Sequence, residues 1–258
     1  MEDPVEELDL AIFLQYDPHA YQLMEGQTAL HLVALAGRVD LMQYLLTTRK
    51  MDVNVCNHAG RTALAETVVA GTSVEMLNVL WQHGANPLVN NTLHDICKGG
   101  CDPETFTLVL QHVKGSLSVL DDVHGWSPLH MACRFGHLNL VQILVEHSAQ
   151  VTSRSLQHNM TPLELACVHD QVDVVQWLLE HKEQQSHHDN HAVNNLLCIA
   201  CQFNALQIVK LLVVVYKADP YHTDARGETS PFACAVKAEC LECIYYLMRY
   251  HNAQAHLL

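Results

Sequence analysis

The chain has 258 residues, of which 49% are hydrophobic and 16% charged, so it can form a core and is not wholly disordered. Lys and Arg number 14 against 28 Asp and Glu, which gives a formal net charge of −14. A surface this acidic repels phosphate backbones, so we exclude nucleic acid from the expected partners.

The sequence also lacks the segments that would carry it into or across a membrane. No apolar run approaches the ~18 residues of a membrane-spanning helix, and the acidic start MEDPVEELDL has neither the basic nor the apolar part of a signal peptide. The 10 Cys are therefore predicted to be reduced thiols. We expect a protein of the cytoplasm, or of the nucleus, with no membrane insertion.

The first segment, residues 1–24, has the pattern of an amphipathic helix. Asp3 followed by Pro4 is a typical helix start, because the carboxylate caps backbone N–H groups and proline suits the first turn. The apolar residues that recur at helical spacing are Leu8, Ala11, Ile12 and Leu14. We predict that this segment caps the open end of the structure that follows.

The stretch from Gly125 to Val151 reads as one helix–loop–helix unit. Ser127 can cap the first helix with Pro128 at its first position, and Gly136 ends that helix. Two helices this short cannot bury their apolar faces against each other alone. The unit therefore needs neighbours of its own kind.

The same unit recurs seven times, with copies starting near residues 26, 60, 90, 125, 159, 194 and 228. An equivalent apolar residue falls at Leu30, Leu64, Leu93, Leu129, Leu163, Leu197 and Phe232. The steps between these residues are 34, 29, 36, 34, 34 and 35. A period near 34 with two helices per copy predicts an all-α solenoid. The third copy departs most, although Asp102-Pro103-Glu104 still predicts the start of its second helix.

These motifs resemble the ankyrin-repeat family. The family signature T-P-L-H-x-A is matched best by Ser127-Pro128-Leu129-His130-Met131-Ala132, and the family's repeat exit by Gly84-Ala85-Asn86-Pro87. The resemblance implies an ankyrin-repeat domain over 25–258, built of stacked helix-turn-helix units with projecting hairpin loops. It also implies that the histidines at the signature position hydrogen-bond turn backbone between repeats; these are His31, His94 and His130.

Two groups of residues invite a metal or redox interpretation. Cys198 and Cys201 form a C-x-x-C pair, as do Cys240 and Cys243. However, Cys201 also belongs to a column of cysteines that occupy the same position in four copies of the repeat. That column consists of Cys97, Cys133, Cys167 and Cys201. A column of thiols at one position favours core packing over zinc.

The second group lies in the segment HKEQQSHHDNH and comprises His181, His187, His188 and His191. A metal site is conceivable there, but a polar, solvated repeat exit is the favoured interpretation. The sequence contains no phosphate-binding loop, nucleophile elbow or H-E-x-x-H pair. Asp121 and Asp122 are expected at a solvated hairpin tip. We expect no cofactor, no metal and no catalytic residue in this segment.

Function is therefore expected at the surface. The resemblance implies that partners bind the concave side, formed by hairpin tips and first helices. The candidate contacts at the hairpin tips are Asp122, His124, Trp126, His158 and Met160. Those at the ends of the first helices are Arg134, Phe135, Val168, His169, Gln202 and Phe203. Apolar and aromatic members of this set would form a track across copies four to six, unless some of the rings pack down between repeats.

The sequence thus predicts a protein–protein interaction module, a scaffold or adaptor within a larger protein that binds a protein or peptide. The acidic net charge favours a basic partner, and we expect the isolated domain to be monomeric. An alternative is a regulatory or substrate-recruiting domain of a kinase or ubiquitin ligase whose catalytic domain lies beyond Leu258. A spacer or self-association element is a third hypothesis.

Overall fold

The computed structural model describes residues 27–71, 73–113, 115–121, 123–183, 190–223 and 229–255. The helix predicted over residues 1–24 lies outside these ranges. Within them the chain forms fourteen helices and no extended strand, with an isolated bridge between Cys56 and Thr62. The predicted all-α fold is confirmed.

The helices come in pairs, each with a first helix and a second helix. The first three pairs are α1 (Ala29–Leu35) with α2 (Val39–Thr47), α3 (Ala63–Val69) with α4 (Val74–Gln82), and α5 (Thr92–Gly99) with α6 (Pro103–Gln111). The next four pairs are α7 (Pro128–Phe135) with α8 (Leu138–Glu146), α9 (Pro162–Val168) with α10 (Val172–Glu183), α11 (Asn190–Gln202) with α12 (Leu206–Val214), and α13 (Pro231–Lys237) with α14 (Leu241–Ala255).

Helix starts and stops follow the local signals in the sequence. The Ser127 hydroxyl accepts the His130 N–H, and Pro128 occupies the first position of α7. Gly136 ends α7 in the left-handed conformation with φ 75°, which a residue without a Cβ adopts readily.

The third pair differs at the start of its first helix, where no side chain caps the backbone, and keeps a capped start at its second helix. Asn91 takes the left-handed conformation (φ 56°) before α5, and the Asp102 carboxylate accepts the Thr105 N–H at 2.8 Å to start α6. The helix start predicted at Asp102-Pro103-Glu104 is confirmed.

The chain divides into two compact units, Met1–Val119 and Leu120–Leu258. In the first unit α1 packs on α3 and α3 on α5. In the second, α7 packs on α9, α9 on α11 and α11 on α13, while each second helix also contacts its own first helix. The core of each unit is therefore a row of apolar faces, with small alanines such as Ala132, Ala166 and Ala200 fully buried at the helix contacts.

The column of cysteines lies inside this packing. Cys97, Cys133, Cys167 and Cys201 are each 0% exposed, which confirms that these thiols act as small core side chains. Burial raises the pKa of the Cys167 thiol to about 12 and that of Cys133 still further. None of the ten cysteines, all of which lie in the described ranges, forms a disulfide.

The seventh copy presents an apolar face to solvent. Val236 and Met248 are 49% and 50% exposed, whereas their counterparts one copy earlier, Cys201 and Val213, are both 0% exposed. Leu241, the first residue of α14, is 76% exposed. We call Val236, Leu241 and Met248 the seventh-copy face.

Candidate protein-interaction surface

The C-terminal ends of α7, α9 and α11 lie side by side in the second unit. Their order follows from the packing of α7 on α9 and of α9 on α11. A hydrogen bond joins the first two ends, because the Gln171 amide just after α9 donates to the Arg134 carbonyl oxygen at 3.1 Å. The candidate contacts in this row are Arg134, Phe135, Val168, His169, Gln202 and Phe203, which we call the helix-end row.

The helix-end row exposes two aromatic rings. Phe135 is 38% exposed and Phe203 is 44% exposed, and they stand at the same end of α7 and α11, on either side of α9. His169 and Gln202 are exposed between them, whereas Val168 is partly buried. The helix-end row therefore combines apolar anchors with polar neighbours, as expected of a protein-binding surface.

The hairpin tips before α7 and α9 add further apolar area. Val123 is 63% and Leu156 74% exposed, and the Gln157 amide donates to the Val123 carbonyl oxygen, which holds the two tips together. Of the candidate contacts at these tips, His158 is exposed, whereas His124 and Met160 are partly buried. Asp122 lies outside the described residues.

Trp126 does not contribute an exposed ring to this surface. It is 4% exposed and lies beneath two side chains, with the His124 ring stacked on it at 4.2 Å and the Arg134 guanidinium carbon 4.8 Å from its centroid. For this residue the structure shows the alternative that the sequence left open, in which the ring packs down. Trp126 supports the surface from below.

Arg134 also lies over the ring of Phe135, at 5.5 Å from the centroid. Its guanidinium thus contacts one buried ring and one exposed ring. The part of the chain that the structure describes places no carboxylate within 4 Å of it, although three other arginines have such a partner. Arg134 is therefore positioned by aromatic contacts rather than by an ion pair.

Asp121 organises the hairpin before α7, although the sequence predicts a solvated tip there. That expectation is wrong: Asp121 is 7% exposed, and its Oδ1 accepts the N–H groups of His124 and Trp126, each at 2.9 Å. Asn57 and Ser155 accept backbone N–H groups in the same way in other copies. The sequence signal for this role is a small polar residue five or six positions before the helix cap.

The signature histidines bond backbone between copies. Nε2 of His31, His94 and His130 lies 2.7 Å, 3.0 Å and 3.0 Å from the carbonyl oxygens of Arg61, Val119 and Met160. The structural role that the resemblance implied is confirmed. Burial lowers the pKa of His31, against a smaller raising effect from the Arg61 carbonyl and Glu66, so the ring is neutral in the fold.

Metal ligation finds no geometric support in the described ranges, where no group of three His, Cys, Asp or Glu side chains could hold an ion. His187 and His188 lie outside those ranges. The described helices also include none that is long and apolar enough to cross a membrane.

Comparison with known proteins identifies the family. A family model described as ankyrin repeats, in three copies, matches residues 5–91 and 93–191, which is more than half of the chain. The chain belongs to the ankyrin-repeat family.

Two curated relatives match over part of this ankyrin-repeat chain. It is 26% identical over 160 residues to ankyrin repeat protein nuc-2 of Neurospora crassa, covering 48% of this chain and 15% of that protein. It is 40% identical over 76 residues to the BCL-6 corepressor-like protein 1 of Mus musculus, covering 28% of this chain and 4% of that protein. The chain therefore spans a small part of the length of these relatives.

Two solved structures share the ankyrin-repeat fold. The ankyrin repeat domain of Bcl-3, described as a unique member of the IkappaB protein family, superimposes with a TM-score of 0.62 at 20% identity, over 87% of this chain and 99% of that one. The human ASB11 ankyrin repeat domain gives a TM-score of 0.61 at 23% identity, over 86% and 98%. At these identities the likeness concerns the fold alone.

Proposed function

We propose that this ankyrin-repeat chain binds a protein or peptide on the helix-end row and the adjoining hairpin tips of its second unit. Ankyrin repeats are protein-interaction modules, and the family is generally non-catalytic. The observation that carries the proposal is the pair of exposed rings, Phe135 and Phe203, at the same helix end on either side of α9. Aromatic side chains at the centre of a surface are the usual anchors of an interface.

The expected energetics follow from burial of these rings. Removing a partly exposed phenylalanine from water contributes on the order of 1–2 kcal/mol, and the apolar tip residues Val123 and Leu156 add to the area. The net charge of −14 attracts a partner whose overall charge is positive and accelerates the first encounter, at a rate that falls with added salt.

A peptide-display selection against the folded chain tests the proposal. We expect the variant carrying Phe135→Ser and Phe203→Ser to bind the selected peptides at least about tenfold more weakly in fluorescence anisotropy, because both anchors are lost. The matched control is Tyr245→Ser on α14, which removes an aromatic ring that is 67% exposed but lies outside the helix-end row. Equal weakening by the control, or full binding by the double variant, contradicts the proposal.

A regulatory or substrate-recruiting role for an enzyme, such as a kinase or ubiquitin ligase, is a second candidate. It is favoured by the small fraction of each curated relative that the chain spans, 15% and 4%, since the rest of such proteins has room for other domains. The full-length coding sequence decides between the two candidates, because a catalytic domain in the same protein supports the second.

The state of the protein in the cell is also a proposal. We propose that the chain acts as a monomeric scaffold or adaptor in the cytoplasm or nucleus, where its ten thiols stay reduced. Light scattering at several concentrations tests the monomer, and imaging of a fluorescent fusion tests the compartment. A stable dimer in the first measurement contradicts the monomeric state.

A further inference from the structure

We infer that Arg134 is the carboxylate-binding residue of the helix-end row, so that the partner carries an Asp or Glu side chain next to its apolar anchors. This inference rests on the proposed function and names the partner's chemistry. Its basis is a guanidinium that is positioned by two aromatic rings and has no carboxylate partner among the described residues.

The two rings orient the guanidinium and leave its N–H groups free of ring contacts. Trp126 lies 4.8 Å and Phe135 5.5 Å from the guanidinium carbon, and both contacts are with ring faces. Ring contacts leave the in-plane N–H groups available, and those groups match the two oxygens of a carboxylate. The burial of Trp126 keeps this geometry in place before any partner arrives.

Among the described residues, three other arginines pair with a carboxylate, whereas Arg134 and Arg249 do not. Arg134 differs from Arg249 because two aromatic rings position it. Arg38, Arg61 and Arg154 each have a carboxylate oxygen within 3.5 Å, at Asp40, Glu66 and Glu164. The chain has 28 acidic residues against 14 basic ones, so acidic partners for an arginine are plentiful. Arg134 instead faces Phe135 on the surface where binding is proposed.

The charges around the helix-end row are consistent with an acidic ligand. The other positions of the row carry no carboxylate, and the same position of the seventh copy is the exposed Lys237. Asp170, just after α9, is engaged by the Ile208 N–H at 3.0 Å, and Asp121 by its own hairpin. Among the described residues, the exposed carboxylates of the second unit lie on second helices, at Glu146, Asp173, Glu180 and Glu242, or in loops, at Asp219 and Glu239. None of them is a residue of the row.

Arg134 is the residue of the helix-end row that is charged at neutral pH, whereas His169 is neutral. Burial, with a smaller contribution from Arg134 itself, lowers the pKa of His169, so the imidazole is neutral at neutral pH. The inference does not conflict with a partner of positive overall charge. Net charge acts at long range and is screened over about 8 Å in physiological salt, whereas Arg134 acts on the group in direct contact.

A double-mutant cycle on the folded chain tests the inference. The probe is a fluorescein-labelled peptide selected by display against the wild-type chain, together with the same peptide in which its acidic residue is changed to the amide. We expect the amide peptide to bind wild type about tenfold more weakly, and Arg134→Gln to bind both peptides equally weakly. Arg134→Glu should select peptides with Lys or Arg in that place.

The control is Arg249→Glu on α14, an exposed arginine away from the row, whose variant carries the same change of net charge and should bind like wild type. A thermal melt of Arg134→Gln shows whether the fold survives, and Arg134→Lys, which keeps the charge, should retain part of the affinity if the variant is less stable. Selected peptides that are basic or uncharged, or an acidic residue whose effect is unchanged in Arg134→Gln, overturn the inference.

Different peptides would contradict the acidic ligand and the binding surface itself. Peptides whose binding needs Phe135 and Phe203 but no acidic residue overturn the inference and leave the proposed function standing. If no selected peptide depends on these rings, the proposed function fails and the inference fails with it.

Discussion

The imidazole Nε2 of His130 lies 3.0 Å from the carbonyl oxygen of Met160, so a side chain of copy four holds the hairpin of copy five. The other ring nitrogen, Nδ1, faces the N–H and the hydroxyl of Ser127 at 3.1 Å and 2.8 Å. One buried ring therefore caps its own helix and fixes the backbone of the next copy. Nδ1 is the acceptor and Nε2–H the donor in the tautomer that satisfies all three contacts.

His130→Ala should destabilise the chain by about 2–4 kcal/mol, because it leaves the Ser127 N–H without a partner and opens a cavity. It also removes the bond between copies at the Met160 carbonyl oxygen, which keeps the Ser155 N–H as a donor. Urea denaturation followed by circular dichroism measures the loss. The control is His147→Ala, since that exposed ring bonds within its own helix, to the Ile143 carbonyl oxygen. Similar losses of unfolding free energy in the two variants would show that the hydrogen bond between copies does not stabilise the chain more than a bond within one helix.

Stability should depend on pH through His31. Burial lowers the pKa of His31 in the fold below its ordinary value of 6.5, so as pH falls the unfolded chain takes up the proton first and stability decreases. The decrease begins below about pH 6.5 and approaches about 1.4 kcal/mol per pH unit at most for one proton. His31→Gln should lower stability at about pH 7.5 and show a shallower decline towards about pH 5.5. Parallel stability–pH curves for the two proteins would contradict this assignment.

Gly136→Ala should cost about 2–3 kcal/mol, because a Cβ at φ +75° is strained and would also lie 2.7 Å from Cδ of Gln171. Moving that side chain breaks its hydrogen bond to the Arg134 carbonyl oxygen. Gly71→Ala is the matched control, with φ +67° and nothing within 4 Å of the new Cβ, and should cost about 1 kcal/mol. The difference in urea midpoint between the two variants isolates the contact with Gln171, and no difference would argue against it.

The buried thiol of Cys133 should resist alkylation in the native protein at mildly alkaline pH, since it is 0% exposed and burial raises its pKa. The partly exposed Cys234 is the internal reference in the same digest. Mass spectrometry after timed exposure to iodoacetamide gives both rates. Cys133→Ser should be about 1 kcal/mol less stable than Cys133→Ala, because it buries a hydroxyl. Labelling of both thiols at equal rates would refute the prediction.

Local stereochemical signals explain why so much of the fold could be predicted from the sequence. Ser127 followed by Pro128 starts α7 and Gly136 ends it, and Asp102 followed by Pro103 starts α6, as predicted. Each of these residues acts through its own backbone and one or two neighbours, so its effect can be inferred without knowing the tertiary structure. The period near 34 then sets how the pairs pack.

The candidate surface was less predictable, because side-chain burial depends on residues that the pattern does not connect. An aromatic residue at a hairpin fits the repeat whether it is exposed or buried. For Trp126 the outcome depends on Arg134, eight residues later, and on the stacked ring of His124. Asp121 was misassigned for the same reason, since its role depends on the N–H groups that the folded hairpin presents to it.

The seventh-copy face should influence which helices of the second unit unfold first. Its Val236 and Met248 are half exposed, whereas Cys201 and Val213 are fully buried. We therefore expect that separating α13 and α14 from the stack exposes less apolar area than opening an inner pair. Amide hydrogens of these two helices should exchange fastest, followed by those of α11 and α12, in a gradient directed towards α7. Within the helix-end row, Phe135 thus lies at the slow end of that gradient, and Phe203, which follows α11, lies nearer the fast end.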